Sequence, residues 1–90
     1  MGFKKYQEFV EGCPDFDDAA LGLPGEVGEV LELIKKDRRT GEYRQPLDPE
    51  KFKAECGDVL FYLTRLAYKN GVSLKDVADY NVEKLTKRHG

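Results

Sequence analysis

Four acidic residues stand in two short copies of one pattern. Residues 25–34 read GEVGEVLELI and residues 54–63 read AECGDVLFYL. Both share Glu, any residue, Gly, an acid, Val, Leu and an apolar end, giving Glu26 and Glu29 in the first copy and Glu55 and Asp58 in the second. Acids three residues apart project together from one helical turn, so two facing helices of this kind can enclose a hard divalent cation. Oxygen-only donors point to Mg²⁺, with Mn²⁺ as the alternative.

Helical geometry separates these acids from ordinary surface ones. At about 100° per residue, with Glu26 at zero, Val30 falls at about 40°, Leu23 at about 60°, Leu33 at about 340° and Glu29 at about 300°. Around Glu55, Val59 falls at about 40°, Phe52 at about 60°, Leu66 at about 20°, Tyr62 at about 340° and Asp58 at about 300°. Glu26 and Glu55 therefore lie inside an apolar arc, with Glu29 and Asp58 at its edge. Burying unpaired carboxylates costs several kcal/mol, and close ones repel, so the arrangement calls for protons or cations. An E-x-x-E on a helix is commonly a solvated face, and Glu32, at about 240°, is of that kind. A di-iron bundle needs Glu-x-x-His motifs, whereas the one histidine, His89, reads as an exposed tail residue.

The elements that must hold these acids are helical. Phe3, Tyr6, Phe9 and Val10 recur at helical spacing, and Gly12 and Pro14 end that segment. The stretch DFDD at 15–18 offers capping residues for a second helix running to Ile34, closed by KKDRR where cations suit a helix C-terminus. Pro24 either kinks this helix or starts a new one. Residues 40–48 read as a loop, Pro49 opens a third helix reaching about Asn70, and Asn70-Gly71 stops it. Ser73 with Asp76 resembles a capping box for a fourth helix ending near His89. No segment alternates as a strand does. The expected fold is all-α, with four to five helices in one domain over residues 1–90. Gly28 and Gly57, at matching places in the two copies, suggest a close backbone approach, because glycine otherwise disfavours a helix interior by about 1 kcal/mol.

Further polar residues lie where a polyphosphate would need them. Lys36, at about 280°, falls beside Glu29, whereas Lys35 at about 180° points away. On the fourth helix Asn81 lies within the stripe of Leu74, Val77 and Leu85, with Lys84 and Arg88 along one edge. These two cations also suit a plain surface helix through its dipole. Acids and cations together describe a metal site prepared for further negative charge, a polyphosphate bound through divalent ions. Tyr6, Phe9, Phe61 and Tyr62 at helical spacing read as core before base-stacking groups.

Composition narrows the class. The chain has 90 residues, 36% of them charged, and a formal net charge of −2, so there is no basic field for duplex nucleic acid. No apolar run approaches the roughly 20 residues of a membrane helix, and MGFKKYQEFVEG lacks a signal peptide's apolar stretch; a cytoplasmic protein is expected. Cys13 and Cys56 are far apart and outside any C-x-x-C, so free thiols are expected.

The ordered set E-x-x-E (Glu26, Glu29), E-x-x-D (Glu55, Asp58) and N-x-x-K-L-x-x-R (Asn81, Lys84, Leu85, Arg88) resembles the MazG-like all-α nucleoside triphosphate pyrophosphohydrolases. The small single-domain forms, phage-encoded ones included, are the most similar, over about residues 6–88. The departures are Pro24 and Cys56, neither a presumed ligand. The resemblance implies hydrolysis of a (deoxy)nucleoside triphosphate to monophosphate and pyrophosphate, with Mg²⁺ at Glu26, Glu29, Glu55 and Asp58 and an activated water attacking the α-phosphorus. It further implies that Glu29 orients the water, that Lys36, Lys84 and Arg88 steady the phosphates, and that Asn81 holds the nucleotide or the metal shell. The acidic helices are expected to pair antiparallel and to complete a bundle as a homodimer or homotetramer. A non-catalytic helical module that binds metal or nucleotide is the competing class.

Overall fold

The computed structural model describes residues 1–14 and 18–89. The described residues form four helices and no strand: α1 (Phe3–Gly12), α2 (Ala19–Asp37), α3 (Pro49–Lys69) and α4 (Leu74–His89), with a short 3₁₀ turn at Gly41–Tyr43. No helix among them is long and apolar enough to cross a membrane. The chain divides into two compact units, residues 16–63 and residues 1–15 with 64–90.

In the first of these units, residues 16–63, α2 begins where its cap allows. The Asp18 carboxylate accepts a 2.9 Å hydrogen bond from the Ala20 N–H, satisfying one of the donors a helix start leaves without a partner. Of the DFDD stretch, residues 15–17 lie outside the described residues. Pro24 is inside α2: the helix starts before it and runs through it, and the Ala20 carbonyl forgoes the backbone donor that any other residue at 24 would supply.

At the far end of α2, Asp37 organises the connection to α3. Its Oδ1 accepts from Arg44 Nη2 at 2.9 Å and from the Leu47 N–H at 3.0 Å, while Arg44 Nε donates to the Asp37 carbonyl at 2.9 Å. Gln45 N–H donates to the Lys36 carbonyl at 3.1 Å. These bonds satisfy end groups of α2 and fix where the chain turns back. The Asp48 carboxylate then accepts from the Glu50 N–H at 3.0 Å and caps α3, with Pro49 in the first position, where its missing N–H costs nothing.

The two helices run antiparallel within this unit, because Gly22 near the start of α2 meets Tyr62 on α3, and further along α2 the Glu26 carboxylate meets those of Glu55 and Asp58 on the preceding turns of α3. Close approach falls at Gly22, where an added Cβ would stand 2.9 Å from Tyr62 Cε1. It does not fall at Gly28 or Gly57, where an added Cβ meets nothing within 4 Å. The matching glycines of the two acidic motifs are thus both open in this chain, contrary to the close approach their positions suggest.

The second unit is built around α1 and α4, which pack together. Val10 and Leu74 are buried there, at 0% and 5% exposure. Gln7 Oε1 accepts from the Leu74 N–H at 2.7 Å and Ser73 Oγ from the Asp76 N–H at 3.0 Å, so α4 starts on two side-chain acceptors. Gly71, at φ +75°, makes the left-handed turn that ends α3. Arg65, only 4% exposed, directs Nη2 at the carbonyls of Val10, Cys13 and Pro14 at 3.2, 3.0 and 3.4 Å. A guanidinium at these carbonyls satisfies acceptors that a helix C-terminus leaves open and complements its negative dipole end.

Candidate functional site

Antiparallel pairing of α2 with α3 brings acids of both motifs to one place. One carboxylate oxygen from each of Glu26, Glu55 and Asp58 lies within 4.8 Å of the other two. Glu26 and Glu55 are half-buried and Asp58 is exposed, which follows from the apolar arc: Leu23, Val30 and Leu33 beside Glu26, and Phe52, Val59 and Tyr62 beside Glu55, are also half-buried. Two oxygens on opposite sides of an Mg²⁺ bound at 2.0–2.1 Å are about 4.2 Å apart. Small side-chain rotations therefore close the three carboxylates onto such an ion, and an all-carboxylate donor set suits a hard divalent cation.

Electrostatics agree with that fit. Partial desolvation raises the Glu26 carboxyl above its usual range, and the charges of Asp58, then Glu55, then Glu29 raise it further, as does a hydrogen bond to Asp58. Crowded negative charge and partial desolvation thus favour proton uptake by Glu26 when no cation is bound. A divalent ion does the same work more completely.

Glu29 stands outside the three-residue cluster. It is exposed on α2 and, of the three acids that raise Glu26, has the weakest effect. Glu32 forms a 3.8 Å ion pair with Lys35 on the helix surface, the ordinary role its angle implied. Lys36 is half-buried on α2, one residue before Asp37.

The family comparison bears on exactly this region of the chain. Residues 16–90 match the model of the MazG nucleotide pyrophosphohydrolase domain. The chain belongs to the MazG family. The matched span includes both acidic motifs and all of α4. The MazG domain is also similar to the Gene 37 protein of Mycobacterium phage L5, at 38% identity over 74 residues, covering 76% of this chain and 60% of that protein. The chain thus spans about 60% of the length of the curated relative it matches. No solved structure gives a significant match.

The remaining residues expected at the site lie on α4, in the other unit. Asn81, Lys84 and Arg88 are exposed; Asn81 and Lys84 line a groove of about 420 Å³ together with Val72, Asp76, Val77 and Tyr80. Tyr80 escaped the sequence reading, which took its aromatic candidates from α1 and α3. Its signal was the spacing of Asp76, Tyr80 and Lys84, four residues apart and so stacked along one helix edge. Tyr6 and Phe9 pair at 6.1 Å between ring centroids, and Phe61 and Tyr62 pair edge-on at 5.9 Å. Tyr6, Phe61 and Tyr62 are half-buried, but Phe9 is 59% exposed and is not core among the described residues. Cys13 and Cys56 are free thiols.

Proposed function

We propose that this MazG domain hydrolyses (deoxy)nucleoside triphosphates to the monophosphate and pyrophosphate, using Mg²⁺ or Mn²⁺. The observation that carries the proposal is the convergence of Glu26, Glu55 and Asp58 within 4.8 Å in a chain of this family. These three carboxylates and Glu29 hold the metal. When bound, the divalent ion neutralises phosphate oxygens and acidifies a water for attack on the α-phosphorus. Glu29, exposed on α2 one turn beyond Glu26, orients that water and takes up its proton. Lys36, Lys84 and Arg88 balance the phosphate charge and steady the departing pyrophosphate, and Asn81 holds the nucleotide.

Residues 1–90 act as one domain in this reading, and the assembly is a homodimer or homotetramer. An apolar groove of about 180 Å³ lined by Val27, Val30, Leu31, Cys56 and Val59 supports an interface on α2 and α3. Leu31 there is 60% exposed, an apolar cost that burial against a second copy removes. We place the activity in the cytoplasm, with the nucleotide pool. Incubating the purified protein with a triphosphate panel, with and without Mg²⁺, tests the proposal. Metal-dependent release of pyrophosphate and monophosphate is expected. Nucleotide-dependent stabilisation with no turnover would assign the protein to the non-catalytic class.

A further inference from the structure

Gly22 and Tyr62 meet one helical turn from the acid cluster, on the same two helices that carry it. At about 100° per residue, Gly22 falls about 320° from Glu26 and Tyr62 about 340° from Glu55, so both lie on the faces that bear the acids. Along α2, Glu26 is one turn after Gly22, and along α3, Asp58 is one turn before Tyr62. The phenol ring rests on the α2 backbone itself: a Cβ added at Gly22 would stand 2.9 Å from Tyr62 Cε1, 3.0 Å from Cζ and 3.4 Å from Cδ1. Phe61 packs edge-on to that ring, with 5.9 Å between centroids. The separation of two packed helices is set by the side chains at their contact. Here the contact is one ring, with no side chain opposite it.

We infer that the Tyr62 ring seated on Gly22 is the spacer that fixes the gap between α2 and α3 at Glu26, Glu55 and Asp58, and so makes the site prefer Mg²⁺ over the larger Ca²⁺. The inference deepens the proposed function and rests on its metal site. Mg²⁺ requires a near-ideal octahedron of oxygens at about 2.0–2.1 Å, whereas Ca²⁺ accepts irregular shells at about 2.3–2.6 Å. Three carboxylate oxygens, each within 4.8 Å of the others, have to close on the ion from both helices. A wider or looser gap therefore penalises the small ion more than the large one. Tyr62 and Gly22 supply no ligand and act as positioning residues, through the helices that carry the acids.

Calorimetric titration of the metal-free full chain with Mg²⁺, and separately with Ca²⁺, tests it. Gly22→Ala, which forces a methyl group under the ring, should lower Mg²⁺ affinity about tenfold or more and Ca²⁺ affinity much less. Tyr62→Phe keeps the ring and should keep the parent ratio of the two affinities. Tyr62→Leu leaves the gap without its spacer and should lower the ratio as Gly22→Ala does. Combining Gly22→Ala with Tyr62→Leu nearly conserves volume at the contact and should recover most of the parent ratio, a non-additive outcome. A contact that only holds the fold would lower the metal-free melting temperature in the single variants and leave the ratio unchanged. That result would overturn the inference, as would a parent that prefers Ca²⁺ or a double variant that sums the two losses. Should Gly22→Ala not fold, the ratio in Tyr62→Leu against Tyr62→Phe decides by the same criterion. A parent that binds Mg²⁺ but turns over no triphosphate loses the catalytic reading alone, and the ratio still decides the spacer. A parent that binds neither ion overturns the metal reading and the inference together.

Discussion

The two acidic motifs are nearly the same in sequence and unequal in space. Glu26 and Glu55 take equivalent half-buried places on facing helices, yet of the two acids that follow them only Asp58 joins the three-carboxylate cluster. Antiparallel pairing accounts for part of this. Gly22 lies at Tyr62 and Glu26 at the turn of Asp58, so moving along α2 toward Glu29 moves back along α3 toward Glu55. Glu26 thus meets both acids of α3, and Glu29, one turn further along α2, lies outside that cluster. The lesson is that a repeated motif need not mean a repeated geometry: three of the four acids converge, and Glu29 stands outside their cluster.

Replacing a clustered acid should do the most damage to function. Glu26→Gln, Glu55→Gln and Asp58→Asn should each lower kcat/KM at least about 100-fold. The metal-free variants should be as stable as the parent, because each removes a repelling charge. A metal-free variant that unfolds would mark its acid as half of a structural ion pair. Glu29→Gln should break the symmetry between the motifs. It should lower kcat by about 100-fold while leaving Mn²⁺ affinity, measured by calorimetry, closer to the parent's than Asp58→Asn does. Equal loss of metal affinity in both variants would make Glu29 an ordinary fourth ligand.

The glycines sharpen the comparison on the stability side. Gly22→Ala should destabilise by roughly 1–3 kcal/mol, because its Cβ would meet the Tyr62 ring at 2.9 Å. Gly28→Ala and Gly57→Ala should each stabilise the helix by about 1 kcal/mol in thermal or denaturant unfolding. Destabilisation by either would show that another chain packs over the motif.

The smallest effect belongs to Asp37. The Leu47 N–H, then Arg44, hold its carboxyl below the usual range. A depressed folded-state value stabilises the protein above the unfolded-state value of 3.8, and that stability is lost as pH falls through the folded value. Asp37→Asn should therefore lower the melting temperature slightly at neutral pH, and parent and variant should converge in acid.

Helix ends were readable in the sequence where a local group creates them. Asp18, Ser73 and Gly71 each act within a few residues of their own position, by capping or by a left-handed turn. The inward placement of Glu26 and Glu55 was readable because helical period alone sets it. Arg65 was not, since its partners at Val10, Cys13 and Pro14 are more than 50 residues away and only folding brings them together. The same holds for Gln7 on Leu74. Pro24 was ambiguous because a proline fits both a first turn and, at a cost, a helix interior; the cap at Asp18 decides for the interior. Gly28 and Gly57 misled for a related reason, since helical position alone does not say which residues of the facing helix come near.

The central claim is that Glu26, Glu55 and Asp58 form a divalent-cation site. Its most direct test is the thermal midpoint of metal-free protein followed across pH, with and without added Mg²⁺. Glu26 has its carboxyl raised above 4.5, so the folded state holds a proton that the unfolded chain has released. The metal-free midpoint should accordingly carry a falling contribution from Glu26 as pH rises from 4.5 through the raised folded value. Mg²⁺ should restore the midpoint above that window in the parent and fail to do so in Glu26→Gln. A parent midpoint indifferent to Mg²⁺ at neutral pH, or one that Mg²⁺ raises equally in Glu26→Gln, would contradict the account.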